Sequence, residues 1–198
     1  MSSLPNLPDA VLAGPPQGQW TVADVVSFAP EEDGNRYELI AGVLHVTTQP
    51  HTDHQWIVAR VTLALGQWSI ETGAGEVYTA PGVIFSPHSA VAPDVVWVRR
   101  QRVATIDRDG KLYGAPDLAV EVLSAGAKNI ERDRISKLDL YQQHDVPEYW
   151  IIDRFQHQIE AYRRTAGTLV LAQVYGPADT LTSPLLPGFA CPVSRLFR

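Results

Sequence analysis

Two short valine-rich runs, with Asp94 set at the start of one and Glu121 in the middle of the other, constrain this chain more than any other feature. The first is Ala92-Pro93-Asp94-Val95-Val96-Trp97-Val98. The second is Pro116-Asp117-Leu118-Ala119-Val120-Glu121-Val122-Leu123-Ser124. Dense, short, β-branched runs read as apolar strands. Such a strand gains nothing from a carboxylate unless something compensates its charge, because an ionised carboxyl buried without a partner costs several kcal/mol or more. Asp94 and Glu121 therefore ask for a common explanation, and a metal ion is the simplest.

Side chains alternate along a strand, so Leu118, Val120 and Val122 share one face. Asp117, Ala119, Glu121 and Leu123 share the other. Were the two runs sheet neighbours, about 5 Å apart, both carboxylates would reach one divalent cation. Hard oxygen ligands suit Mg²⁺ or Mn²⁺. Such an ion activates water and stabilises charge on a phosphoryl oxygen. Lys137 is the third candidate. Arg134, Lys137, Leu138 and Tyr141 follow helical spacing, with Ile135, Leu138 and Tyr141 toward the core. From the edge of that face an ammonium would orient the attacking water or neutralise developing charge.

The rest of the chain reads as scaffold. Residues 1–19 hold Pro5, Pro8, Pro15 and Pro16 and form an arm, ordered only where it docks. Residues 20–198 form the single domain. Thr21 to Asp24 has helix N-cap spacing, and Pro30 to Asn35 is a polar loop. Arg36 to Val46 is a hairpin turned by Ala41-Gly42, with Glu38 on its first strand. Pro50 to Thr72 is the longest early helix, started by His51, Thr52 or Asp53 and stopped by Gly73. Strands follow at Glu76–Thr79, Val83–Phe85 and Ala92–Val98, with Ser86-Pro87-His88-Ser89 as a turn. Arg99 to Gly114 is a charged connection with a short helix and an Asp109-Gly110 turn. Beyond the strand Leu118–Leu123 come a helix from Ile130 to His144 capped by Asn129, a strand Glu148–Ile152, and an antiparallel pair turned by Ala166-Gly167. Leu181 to Phe197 is apolar enough to pack as a final edge. The sum is mixed α+β, a central mixed β-sheet flanked by helices with extra antiparallel hairpins.

Charge and cysteine content narrow the function. The chain has 198 residues and a net charge of −6, yet 14 of its 16 basic residues fall after residue 98, and nine lie between Arg99 and Lys137. A local basic face on an acidic protein is compatible with a polyanion partner. One cysteine, Cys191, excludes an internal disulfide framework and a cysteine-based zinc site. With no signal-like start and no apolar run near 20 residues, a cytoplasmic protein without a membrane span is expected.

Together these residues resemble a family. Pro93-Asp94, Glu121 in an E-x-x-S strand and a lysine on the next helix are similar to the PD-(D/E)XK nuclease superfamily. The match is closest to its Uma-two branch of restriction-endonuclease-like proteins. Arg36-Tyr37-Glu38-Leu39, the helix near His54, Ala115-Pro116-Asp117-Leu118, Asp133-Arg134 with Lys137, Val146-Pro147-Glu148-Tyr149-Trp150 and Leu181 to Gly188 complete the likeness. It implies a restriction-endonuclease-like core and a Mg²⁺-dependent endonuclease hydrolysing DNA phosphodiester bonds. Asp94 and Glu121 match the metal-binding carboxylates, and Glu38 matches an early acid near the metal or its water. The superfamily's usual lysine position is Leu123 here, and the branch supplies the amine from the following helix, hence Lys137. Cutting both strands calls for two sites, so a homodimer is expected.

Blander readings stand beside these. Glu121 would pair with Lys137 or Arg134, and Glu38 with Arg36. His51 and His54 would cap or hydrogen-bond near a helix start. Asp117 would begin its strand, Asp153 would make a turn with Arg154, and Tyr141 would be core. On that view the chain is a non-catalytic nucleic-acid-binding or interaction module on a nuclease fold, or a structural α+β protein whose acids form ion pairs.

Overall fold

The computed structural model describes residues 14–29 and 34–198. The first thirteen residues of the expected arm and most of the Pro30–Asn35 loop lie outside the described residues. The arm's end does dock. Leu44 N–H donates to Gln17 Oε1 at 2.7 Å, and Gly18 N–H donates to the Gly42 carbonyl at 2.8 Å. Gly42 sits at φ +76° in the turn, and a Cβ there would collide with the Gly18 carbonyl.

In chain order the elements are α1 (Val22–Phe28), β1 (Arg36–Ile40), β2 (Val43–Thr47), α2 (Thr52–Thr72), β3 (Gly75–Thr79), β4 (Val83–Ser86), β5 (Ser89–Val91) and β6 (Val95–Arg99). Then come α3 (Arg100–Ile106), β7 (Asp107–Arg108), β8 (Lys111–Tyr113), β9 (Leu118–Val122) and α4 (Ala127–Glu131). A π-helical turn (Arg132–Ser136) leads into α5 (Lys137–Gln143). The chain closes with β10 (Glu148–Asp153), β11 (Gln158–Thr165), β12 (Thr168–Tyr175), β13 (Thr180–Ser183), β14 (Leu186–Pro192) and a short 3₁₀ turn (Val193–Arg195).

The strands form the expected mixed sheet of six strands, with a second six-stranded sheet and a hairpin beside it. The main sheet runs β12-β11-β10-β9-β6-β3, and the second β2-β1-β5-β4-β8-β7. Both are mixed: β9 pairs parallel with β10, and β4 with β8. Alternation in β9 is as expected. Leu118, Val120 and Val122 join α2 and the C-terminal segment in one core, while Ala119 and Leu123 join α5 and the second sheet in the other. Glu121 therefore faces the second sheet from inside the molecule.

α2 buries Ile57, Val58, Val61, Leu65 and Trp68 against the main sheet. Its start is capped by His51, whose side chain accepts the Asp53 N–H, and Gly73 closes it in the left-handed conformation at φ 65°.

Three local expectations need correcting. Leu181 to Phe197 is no edge strand: β13 and β14 pair with each other and lay Leu181, Leu186, Phe189 and Val193 over the α2 side of the main sheet. Ser89 to Val91, expected in part as a turn, is strand β5, which joins β4 to β1. The helix after β9 starts at Ala127, with Gly126 at its cap, and is broken by the π-helical turn. An i→i+5 turn holds one residue more than an α turn, so residues before it are rotated relative to those after. Ile135 is consequently 55% exposed, while Arg132 and Asp133 are buried. Tyr141 and Leu140 after the turn pack inward as core.

Candidate active site

β6 and β9 are antiparallel neighbours, with Val95 opposite Val120, Val96 opposite Ala119 and Trp97 opposite Leu118. Carried one step further, that register sets Asp94 opposite Glu121. By alternation both point to the face shared with Val96 and Ala119. The sheet thus brings together the two acids that the sequence isolates, and each is about 2–3% exposed.

Asp94 is clamped by donors from three elements. Arg36 Nη1 of β1 lies 3.2 Å from Oδ1. His54 Nε2 of α2 lies 3.0 Å from Oδ2, and the Val122 N–H of β9 donates to Oδ2 at 2.9 Å. Burial alone would raise the Asp94 pKa, but His54, the Val122 N–H and Lys137 outweigh it and hold it at about 2. An ionised carboxylate only accepts, so His54 Nε2 carries the shared proton. His54 Nδ1 is the one buried side-chain polar atom among the described residues without a partner.

Lys137 is the hub behind Glu121. Its Nζ lies 2.8 Å from Glu121 Oε1, 2.9 Å from Glu38 Oε1 and 3.7 Å from Asp133 Oδ1. Tyr141 Oη donates to Glu121 Oε1 at 2.9 Å. Glu38 Oε1 also accepts the Ala92 N–H at 3.0 Å, and Arg132 approaches its other oxygen at 3.8 Å. The π-helical turn matters here. It turns Asp133 and Arg132 inward, and the Asp133 carbonyl accepts from Tyr149 Oη at 2.8 Å.

Four carboxylates, Glu38, Asp94, Glu121 and Asp133, thus share a buried volume with Lys137, Arg132 and Arg36. The balance falls unevenly. Burial raises Glu38, but Lys137, Arg132 and the Ala92 N–H bring it below the usual range. Burial raises Glu121 too, and there Asp94, Asp133 and Glu38 overcome Lys137, pushing it up to about 8. Lys137 is held above its ordinary value by Glu121 and Glu38 against its own burial. Lys137 stays charged, and Glu121, which faces Asp94, is the carboxyl short of positive charge.

Asp94 and Glu121 line a cleft of about 380 Å³, together with Arg36, His54, Arg132 and Arg154. Glu38, Lys137 and Tyr141 lie behind it rather than on its wall. Among the described residues, no three His, Cys, Asp or Glu side chains converge as a ready-made metal cage. The donor set does fit a hard cation that takes one or two carboxylates and keeps its waters, the habit of Mg²⁺. An electron-rich pair with Glu121 short of a counter-charge is the feature such an ion would relieve.

Of the residues singled out from sequence, Glu38, Asp94, Glu121 and Lys137 form one contiguous group, and Tyr141 belongs to it as a donor. The bland readings hold for His51, a cap, and for Asp153, whose Oδ1 accepts the turn N–H groups of Phe155 and Gln156. Asp117 accepts from the Arg99 N–H and pairs with the Arg99 and Arg102 side chains at 2.9 Å. Arg134 is not in the site: it pairs with Asp153 at 3.1 Å and with Glu160 at 2.6 Å. Of the basic cluster, Arg132 lines the cleft, while the residues from Arg99 to Lys111 are displaced from it. Five residues of strand rise, about 17 Å, separate Asp94 from Arg99, so the cations at the cleft are Arg36, Arg132 and Arg154. Sequence reasoning left Arg36, Arg132 and Asp133 without a site role. Arg36 and Asp133 stood only within the motifs of the resemblance, and Arg132 and Asp133 lie in a helix whose π-helical turn nothing in the sequence announces.

Comparison with known proteins agrees with this architecture. The Uma2 family, described as "Putative restriction endonuclease", matches residues 22–194. Among solved structures, a protein of Anabaena variabilis ATCC 29413 described as a putative nuclease belonging to DUF820 is similar at TM-score 0.69 and 18% identity, over 89% of this chain and 97% of that one. The type IIG restriction endonuclease BpuSI aligns at TM-score 0.38 and 16% identity, over 72% of this chain and 14% of that one. No curated protein matches.

Proposed function

The chain belongs to the Uma2 family of putative restriction endonucleases, and from that premise we propose that it is a divalent-metal-dependent endonuclease hydrolysing DNA phosphodiester bonds. The observation that carries the reading is the opposition of Asp94 and Glu121 across β6 and β9 in a cleft. These two carboxylates would hold Mg²⁺ or Mn²⁺. When bound, the ion supplies an activated water and a Lewis acid for the phosphoryl oxygen.

The chain's own residues do the rest. Arg36, His54 and the Val122 N–H aim Asp94. Lys137 and Tyr141 aim Glu121 by sharing its Oε1. With its Nζ sealed behind the cleft, Lys137 acts through Glu121 as a positioning residue, a different task from touching the water directly. Glu38 fixes the ammonium from its other side. Arg36 and Arg154 in the cleft wall meet the phosphates, an arrangement that makes binding salt-sensitive. Two copies would cut both strands, so a cytoplasmic homodimer goes with this reading.

Plasmid nicking with Mg²⁺ or Mn²⁺ tests it. Wild type nicks, while Asp94→Ala and Glu121→Ala do not, and cleavage that survives both substitutions sinks the assignment. One observation favours a second reading, a non-catalytic nucleic-acid-binding module. Both Asp94 oxygens already accept hydrogen bonds, and Leu123 fills the usual lysine position. Calorimetry separates the two: no Mn²⁺ uptake by wild type, and no change in Asp94→Asn, favours the module.

A further inference from the structure

A second concavity, about 140 Å³, lies around the first turns of α2 and shares Arg154 with the cleft. Its walls are aromatic and cationic. Trp56 is 36% exposed, and it is the only tryptophan above 8% exposure. Arg198 and Arg60 lie 4.3 and 5.3 Å from its ring centroid. His157 stacks on Phe197 at 4.9 Å and 14°. Beside them Phe155 is 49% exposed, with the Arg154 guanidinium 4.3 Å over its ring.

This shelf is built, not loose. Arg154 is anchored through Nε to the Leu123 carbonyl at 3.2 Å. The turn bearing Phe155 is pinned by two N–H bonds to Asp153. Arg60 Nε donates to the Arg195 carbonyl at 3.0 Å. Asp53, the acid on this wall, is paired with Arg198 at 3.6 Å. Three guanidiniums over exposed rings, on a chain of net charge −6, make a local exception with a specific complement. Aromatic faces stack bases, and adjoining cations meet the phosphates between them. A duplex hides its base faces, whereas a single strand presents them.

We propose that this shelf binds single-stranded DNA, taking the unpaired bases next to the phosphodiester held in the cleft, with Trp56 and Phe155 as stacking platforms and Arg154 as the link between the two sites. The assignment rests on the nuclease reading for its ligand, but its test does not. In EDTA, so that nothing is cut, a fluorescein-labelled dT15 is titrated by anisotropy against full-length wild type, Trp56→Ala, Phe155→Ala and Trp56→Phe. A blunt 15-base-pair duplex is titrated in parallel. Wild type binds dT15 and its exposed-tryptophan emission is quenched. Each alanine variant weakens dT15 binding on the order of tenfold, Trp56→Phe stays near wild type, and duplex binding moves little. The inference is overturned if wild type does not bind dT15, if both alanine variants bind it unchanged, if duplex binding falls equally, or if rU15 binds more tightly than dT15. A Glu121→Ala protein that no longer nicks should still bind dT15. If wild type binds dT15 but never nicks, the nuclease reading fails and the shelf stands.

Discussion

Lys137 and Glu121 meet at 2.8 Å with both side chains sealed from solvent. Neither would be stable there alone. Lys137→Met should cost about 3–5 kcal/mol, because it leaves Glu121, Glu38 and Asp133 buried without their cation. Urea denaturation reads the loss, and Mn²⁺ calorimetry on the folded fraction should show weakened uptake. An unchanged midpoint would mean the ion pair is not what holds this region.

The pH dependence follows from Glu121. Its carboxyl is raised from 4.5 to about 8, so the fold favours the protonated form. That contribution is complete below pH 4.5 and is lost as pH rises through about 8. Metal-free protein should therefore lose stability across that window, and Glu121→Gln should flatten the loss. Mn²⁺ binds the ionised form, so the rise in Tm that it produces should grow with pH over the same range. A rise in Tm independent of pH would separate Glu121 from the metal.

Arg36 competes with any cation for Asp94 Oδ1, which it approaches to 3.2 Å. Removing it frees a lone pair while taking a positive charge from the cleft wall. Arg36→Met should therefore bind Mn²⁺ severalfold more tightly by calorimetry, yet bind duplex DNA more weakly and with a shallower salt dependence. Parallel loss of both affinities would show Arg36 to be a structural clamp on Asp94.

Asp117, immediately before the strand that carries Glu121, supplies a control. It is buried against Arg99 and Arg102 at the far end from the cleft. Asp117→Ala should cost about 1–3 kcal/mol of stability for the lost charge-assisted bonds, with Mn²⁺ affinity and nicking preserved. A metal defect in this variant would mean that the two ends of β9 are coupled.

The two acids were legible because charge in a Val-rich run is expensive and therefore conspicuous. Period-two alternation put Glu121 on the face it occupies, and Ala41-Gly42, Gly73 and Asp109-Gly110 marked turns and caps where the backbone takes them. Strand partners were not legible. Nothing local says that β6 pairs with β9 in the register that opposes Asp94 to Glu121. The second sheet escaped notice because β5, β7 and β8 are two or three residues long and draw their stability from neighbours rather than from propensity. Arg134 was misplaced for a different reason: a helical stripe assumes one constant pitch, and the π-helical turn breaks it.

That turn and α5 have a thermodynamic consequence. A lysine on the strand itself would share the fate of the sheet, protected up to global unfolding. Here the ammonium rides on a helical segment joined to β9 by a short loop, with Leu123 released to the core. Undocking that segment alone would strip Glu121 and Glu38 of their counter-charge while leaving β6 and β9 paired. The site's integrity is then set by a sub-global opening free energy, smaller than the global one. Amide hydrogen exchange in 132–143 should outpace exchange in β9.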